Sequence, residues 1–319
     1  MFLRICCLST FLVVFWAVPS ILYAQSSVAT VYGQPDIQGV WVNFDRTPLE
    51  VPLESDSQRL DALERWFPGL ELTAEGIRGI TGPNPGGLSD FLGEGDGEGH
   101  SSKRSSLRKS MVTSPSSGRV PVRPRAEEQK NYNLIHLTDS YRLHTPWERC
   151  ITRGVPGGMM PAGYNNAYRI LQSQDYVVIL YEMIHEPRII PLNTTFPVAE
   201  SIRLWNGNSK GHWEGNTLVV EVTNYRAEQV GTIATGISTT ATLKGIPQSD
   251  AMKVVERFTL IDDETLEYEV TIEDPEVYFS PWTVSMPLHK DNDYDMYEYA
   301  CHEGNYGLPN SLSGARAAE

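Results

Sequence analysis

The stretch that decides the fold is residues 168–192, which read YRILQSQDYVVILYEMIHEPRIIPL. It is the densest run of β-branched and aromatic residues in the chain, a composition typical of strands. In an extended strand Val177 and Ile179 fall on one face, and Val178 and Leu180 fall on the other. Both faces are therefore apolar, and we expect two or three strands here that are largely buried on both sides.

Two ionisable side chains, Glu182 and His185, interrupt this apolar run. Burying such groups is unfavourable unless they are paired, and paired carboxylates and imidazoles with shifted pKa values are common at functional sites. In a flat strand these two residues point to opposite faces, so they would meet only across a bulge or bend, which Glu186-Pro187 permits. The alternative is a structural pair between the carboxylate and a nearby arginine.

Further strand patterns occupy most of the remaining chain, and short turns rich in Gly, Asp or Glu separate them. Together with the opening stretch they give about nine antiparallel strands, with no long helix to cover a parallel sheet. We predict a mostly β protein, an up-and-down, lipocalin-like barrel with short peripheral helices, and the alternative is a two-sheet β-sandwich. The other predicted strands are Ile37–Asn43, Ser209–Trp213, Thr217–Thr223, Met252–Ile261, Thr265–Glu273, Pro281–Leu288 and Tyr294–Cys301.

The N-terminal residues 1–24 have the features of a secretory signal peptide. Arg4 precedes an apolar core, and the small residue Ala24 precedes the expected cleavage point. No other stretch is apolar for long enough to span a bilayer. We therefore expect an exported protein, periplasmic or extracellular, without membrane insertion.

Composition divides the rest of the chain into three parts. Residues 25–80 contain the first strand and a predicted helix at Ser57–Phe67, and we expect them to join the main domain. Residues 81–125 are rich in Gly, Ser and basic residues, which predicts a flexible insertion. Residues 126–319 form the predicted barrel domain.

Charge and motifs exclude several classes of function. The formal net charge of −14 argues against nucleic acid as a partner. The sequence contains no nucleophile elbow, phosphate-binding loop, dinucleotide fingerprint or zinc-protease motif. The spacing of its His and Glu residues matches no metal-ligand signature, so we expect neither a metal nor a cofactor.

After removal of the signal peptide, Cys150 and Cys301 are the two cysteines that remain. Because exported proteins fold where disulfides persist, a bridge between them is the simplest interpretation. Two buried free thiols are the alternative.

A candidate site follows from the segment around Cys301. Glu298 and His302 lie on one face of the predicted last strand, and the bridge would hold the turn containing Trp147 over one end of the barrel. The Gly-rich loop after Cys150 would then form a lid. Candidate acid/base residues are Glu182, His185, Glu298 and His302, and candidate ligand contacts are Tyr164, Asn165, Trp147, Tyr299 and Trp282; His144 is assigned no role.

Several motifs in the second half of the chain resemble those of a large family of exported bacterial proteins. The resemblance extends over most of the chain from Trp147 onward, and the Cys-His-Glu-Gly-Asn-Tyr sequence at 301–306 is its most specific part. It implies export but no particular activity. The motifs are YNNxYxI from Tyr164, EMIHExRIIPL from Glu182, GxWEGxTLVV from Gly211, ERF from Glu256 and EYACHEGNY from Glu298.

Our functional hypothesis is an enzyme that encloses a small hydrophobic or aromatic molecule in the barrel. Glu182 or Glu298 would act as general acid or base with His185 or His302 as its partner, in a cyclase, isomerase or lyase reaction. One alternative is a non-catalytic carrier of a similar ligand. A structural protein, with a lumen filled by side chains, is the other.

Overall fold

The computed structural model describes residues 29–43, 47–51, 108–162, 165–192, 198–233 and 243–318, and within them the chain forms ten strands and two α-helices. The prediction of a mostly β protein with short helices is confirmed. The strands are β1 (Gly39–Val42), β2 (Val112–Ser114), β3 (Ala167–Gln172), β4 (Tyr176–Tyr181), β5 (Pro187–Pro191), β6 (Asn208–Glu214), β7 (Thr217–Thr223), β8 (Lys253–Asp262), β9 (Thr265–Glu273) and β10 (Trp282–Lys290), and the helices are α1 (Pro124–Ile135) and α2 (Gly307–Ala318).

Residue alternation explains why these segments form a one-sided sheet. In β8, Val254, Glu256, Phe258 and Leu260 are buried, whereas their neighbours along the strand are partly or fully exposed. The same alternation runs through β9. A period of two residues places one face of each strand against a core and the other toward solvent.

The strands pair in one continuous antiparallel sheet, in the order β5-β4-β3-β1-β10-β9-β8-β7-β6, with β2 added to β10. The two ends of this order meet at a bridge between Leu192 and Gly211. A Cβ atom at position 211 would lie 2.8 Å from Leu192 Cδ2 and 2.9 Å from Ile190 Cγ2, so glycine allows this approach. The sheet is thus a nearly closed up-and-down barrel, as predicted, and not a two-sheet sandwich.

Side chains from the strands fill the inside of the barrel. Trp41, Tyr168, Phe258, Tyr268 and Trp282 are among the largest of them, and all are buried in one continuous core. An interior of this kind stabilises the barrel through burial of apolar surface. A nearly closed barrel of this kind is compatible with ligand enclosure. Here, however, the protein's own side chains occupy the core positions.

The opening stretch of 168–192 forms parts of three strands, β3, β4 and β5. Its inward residues Val177 and Ile179 are fully buried, but Val178 and Leu180 on the other face are only partly buried. The expectation of burial on both faces therefore holds for the inner face only. Outward positions in a single-layer barrel are covered only where a loop crosses them.

The predicted flexible segment differs from the structure at its C-terminal end. Residues 108–125 include β2, which pairs with β10, and Met111 and Val112 are buried. Apolar residues inside a polar stretch thus anchor this part to the barrel, and Pro124 begins α1. The predicted signal peptide, the helix at Ser57–Phe67 and residues 81–107 lie outside the described residues.

Candidate functional site

Residues 291–306, here called the C-terminal arm, connect β10 to α2. The predicted strand at Tyr294–Cys301 is wrong, because this segment forms no strand and instead crosses the outer face of β1 and β3. Tyr294 and Met296 pack there against Val40 and Ala167. A further strand after β10 has no place to pair with it, since β10 already has β1 and β9 on its two sides.

A disulfide ties the C-terminal arm to the turn that precedes the Gly-rich loop. The predicted bridge between Cys150 and Cys301 is confirmed, with a Cα–Cα distance of 5.6 Å. Asn305 Nδ2 also donates a hydrogen bond to Cys150 Sγ at 3.0 Å. The C-terminal arm is therefore fixed next to the turn that carries Trp147 and Glu148.

Between the C-terminal arm, that turn and the end of α1 lies a cleft of about 1060 Å³, here called the arm cleft. Its walls combine aliphatic and aromatic side chains with polar and charged ones. Among the residues that line it are Leu134, Ile135, Leu137, Thr138, His144, Trp147, Glu148, Asn165, Glu298, Tyr299, Ala300, Glu303 and Leu308.

Glu148 is held in place by four contacts in the wall of the arm cleft. Its Oε2 accepts hydrogen bonds from Thr145 N at 2.9 Å and Thr145 Oγ1 at 3.0 Å, while Thr145 Oγ1 accepts one from Glu148 N at 3.1 Å. This reciprocal arrangement is a capping box. The other carboxylate oxygen, Glu148 Oε1, accepts a hydrogen bond from Lys244 Nζ at 2.7 Å.

Glu148 carries its charge in spite of its burial. Burial alone raises the pKa of the carboxyl, but the interaction with His144 and the charge of Lys244 outweigh it and hold that pKa well below its ordinary value. Burial lowers the pKa of Lys244, and the Glu148 carboxylate opposes that effect. The wall therefore contains a fixed carboxylate next to an imidazole.

His144 lies next to this carboxylate in the wall of the arm cleft. Its Nδ1 lies 3.6 Å from Glu148 Oε2, and the residue is only 6 % exposed. Its Nε2 is buried and has no hydrogen-bond partner, and the same is true of Trp147 Nε1 in the same wall. Buried polar atoms without a partner are costly, so two of them beside one cleft mark a place where a ligand can provide the missing partners.

The four predicted acid/base residues do not converge in one place. Glu182 is buried behind the C-terminal arm, where its carboxylate accepts hydrogen bonds from Tyr294 OH at 3.0 and 3.1 Å and from Ala167 N at 3.2 Å. Burial, with the nearby Glu182 charge, raises the pKa of Tyr294. This pair attaches the C-terminal arm to the barrel and lies in neither cleft.

A second, smaller cleft of about 300 Å³ contains two of the other three residues. His185 and His302 line it together with Glu186. His185 Nδ1 lies 2.7 Å from Tyr299 O. The expected bend does occur, because Ile184 and His185 have positive φ angles of 65° and 41°, but His185 bonds to Tyr299 O whereas Glu182 bonds to Tyr294 and Ala167. Glu298 is separate from both histidines and lines the arm cleft.

The predicted ligand contacts are also distributed unevenly. Trp147, Asn165 and Tyr299 line the arm cleft. Trp282 lies in the barrel core, with its ring 5.5 Å from that of Tyr278, and lines neither cleft. Tyr164 lies outside the described residues.

The barrel core holds one charged pair that the sequence did not assign. Arg188 donates hydrogen bonds to Glu256 and to Ser209 Oγ, and Tyr268 OH donates to Glu256 Oε1 at 2.8 Å. The alternation of β8 could have identified it, because Glu256 falls on the apolar inward face. A fully bonded pair of this kind is a structural element rather than a site.

No group of three or more His, Cys, Asp or Glu side chains suited to a metal ion occurs in the described ranges. None of the helices that the structure describes has the length and apolar character needed to cross a bilayer.

No family model, curated protein or solved structure matches the chain.

Proposed function

We propose that the protein is exported, binds a small apolar or aromatic molecule in the arm cleft and transforms it by acid/base proton transfer, as a cyclase, isomerase or lyase does. One observation carries this proposal: His144 lies beside the cleft with Nδ1 toward a carboxylate and with Nε2 unpaired. The barrel serves as the rigid support of the site.

The pairing with Glu148 gives His144 a defined role. A carboxylate next to Nδ1 favours the tautomer with the proton on Nδ1, which leaves a lone pair on Nε2. Lys244 and the capping box fix the carboxylate that lies next to Nδ1. Nε2 then acts as the general base and later returns its proton to another atom of the ligand, so the reaction needs no co-reactant.

Two other groups of the arm cleft support this chemistry. The unpaired N–H of Trp147 is a donor for an oxygen atom on which negative charge develops. Glu298, on the C-terminal arm, is the remaining predicted acid/base residue in the cleft. The aliphatic side chains of α1 and α2 exclude water from the bound molecule.

A generic proton-transfer probe tests the proposal without knowledge of the natural substrate. 5-Nitrobenzisoxazole opens to the coloured 2-cyano-4-nitrophenolate when a base removes its ring proton, and the N–O bond takes the electrons. We expect the protein-dependent rate to fall by about 10²-fold in His144→Gln, the usual contribution of a positioned base. The matched control is His212→Gln, since His212 lies on β6 and contacts a glutamate, Glu214, at 3.2 Å, but on the surface.

Equal rates for the wild-type protein and both variants would contradict the base assignment. If the probe binds in the arm cleft and still reacts at the rate seen in buffer, the protein is a carrier. In that case the polar atoms of the cleft only orient the ligand.

A further inference from the structure

The fixed charges that line the arm cleft are all negative. Glu148, Glu298 and Glu303 line it, and no lysine or arginine is among its described lining residues. Glu148 is compensated by Lys244, which lies behind it and is 5 % exposed. Glu298 and Glu303 are exposed, and neither forms an ion pair with a described residue. The rim of the cleft therefore has a negative potential that is not neutralised locally.

Two aromatic rings lie next to this rim. Trp147 and Tyr299 line the same cleft, and electron-rich ring faces attract cations. The Arg153 guanidinium lies 5.6 Å from the Trp147 ring and donates hydrogen bonds to Gly157 O and Met160 O. It is 4 % exposed and lines neither cleft, so it makes no direct contact with a molecule bound there.

Building on the function proposed above, we infer that the arm cleft takes small apolar molecules that carry a basic nitrogen, and that it discriminates against carboxylates of the same skeleton. The protonated nitrogen lies near Glu298 and Glu303 at the rim. The hydrocarbon part packs on Trp147, Tyr299 and the aliphatic wall. His144 Nε2 then faces the remainder of the skeleton, where proton transfer takes place.

Three probes with one skeleton and different charge test this inference: 2-phenylethylamine, 2-phenylethanol and 3-phenylpropionate. Binding is followed by the indole N–H signal of Trp147 in ¹⁵N–¹H spectra, which is assigned by its loss in Trp147→Phe. We expect the amine to bind about tenfold or more tightly than the carboxylate at low ionic strength, with the alcohol between them. The difference should shrink in added salt, because exposed charges are screened.

The carboxylates are tested by the double variant Glu298→Gln/Glu303→Gln, in which the preference for the amine should fall to about threefold or less. Its matched control is Glu221→Gln/Glu273→Gln, which makes the same change in net charge at exposed positions on β7 and β9 and should leave the preference intact. Equal affinities of the amine and the carboxylate for the wild-type protein would overturn the charge inference alone. If none of the probes shifts the Trp147 signal, both the charge inference and the proposed binding function are contradicted.

Discussion

The barrel interior and the arm cleft both bury ionisable groups, but the two places differ in how completely the polar atoms are hydrogen-bonded. In the interior, Arg188 and Glu256 bond to each other, to Ser209 and to the hydroxyl groups of Tyr181 and Tyr268. Burial there raises the pKa of Tyr181 to about 12, so its hydroxyl stays neutral and accepts a hydrogen bond from Arg188.

In the arm cleft the polar network is incomplete. Glu148 is fully bonded, yet His144 Nε2 and Trp147 Nε1 beside it have no partner. Trp282 Nε1, inside the barrel, is likewise unpaired, but it lines neither cleft and no ligand reaches it there. An unpaired polar atom therefore indicates function only where an accessible cavity adjoins it. A completed hydrogen-bond network indicates a structural role.

The largest effect on stability is expected from the bridge that positions the C-terminal arm. Replacing both Cys150 and Cys301 by Ala should lower the free energy of unfolding by about 5 kcal/mol, because the bridge closes a loop with a sequence separation of 151 residues. Hydrogen exchange should accelerate in the C-terminal arm first and least in β8 and β9. Urea unfolding with and without reductant measures the effect. An unfolding free energy of the wild-type protein that is the same with and without reductant would contradict this prediction.

The next largest effect separates the interior pair from surface pairs. Glu256→Gln leaves the Arg188 guanidinium buried without a counter-charge, and we expect a loss of about 3–5 kcal/mol in unfolding free energy. Glu214→Gln is the control, since Glu214 forms a comparable contact with Arg257 at 2.9 Å on the surface and should change stability little. Similar urea midpoints for the two variants would mean that the interior network is not a structural element.

A smaller effect with a defined pH dependence is expected at Glu148. Because its folded pKa is lowered, its contribution is present above the unfolded value of 4.5 and is lost as the pH falls through the folded pKa. At pH 7 Glu148→Gln should cost about 2–3 kcal/mol, less than a fully enclosed pair. The difference from the wild-type protein should begin to shrink below about pH 4.5. A difference that stays constant between pH 7 and pH 3 would exclude this ion pair, and Glu298→Gln is the exposed control.

The sequence predicted the barrel and the bridge because their signals are simple. The alternation in β8 and β9 fixes which face is buried, and Cys150 and Cys301 are the two cysteines outside the predicted signal peptide, which leaves one pairing. The predicted strand at Tyr294–Cys301 failed although its aromatic content suits a strand. Strand formation also needs a free edge, and the edges of β10 were taken by β1 and β9.

The candidate site was predictable only in part. Trp147, Tyr299 and Glu298 were assigned to a site next to the bridge, and all three line the arm cleft. His144 was missed because its significance depends on Lys244, which fixes Glu148 from a distant part of the chain. One local signal was available, since Thr145-x-x-Glu148 has the spacing of a capping box and places the carboxylate near His144.

The central claim is that His144, in the wall of the arm cleft, has an unprotonated and unpaired Nε2, and its tautomer tests this most directly. Long-range ¹⁵N–¹H spectra of the imidazole, recorded at pH 9 without ligand, distinguish the two ring nitrogens. The signals of His144 are assigned by their loss in His144→Gln. We predict that Nδ1, next to Glu148, carries the proton and that Nε2 has the ¹⁵N shift of a free lone pair. A proton found mainly on Nε2 would contradict the account.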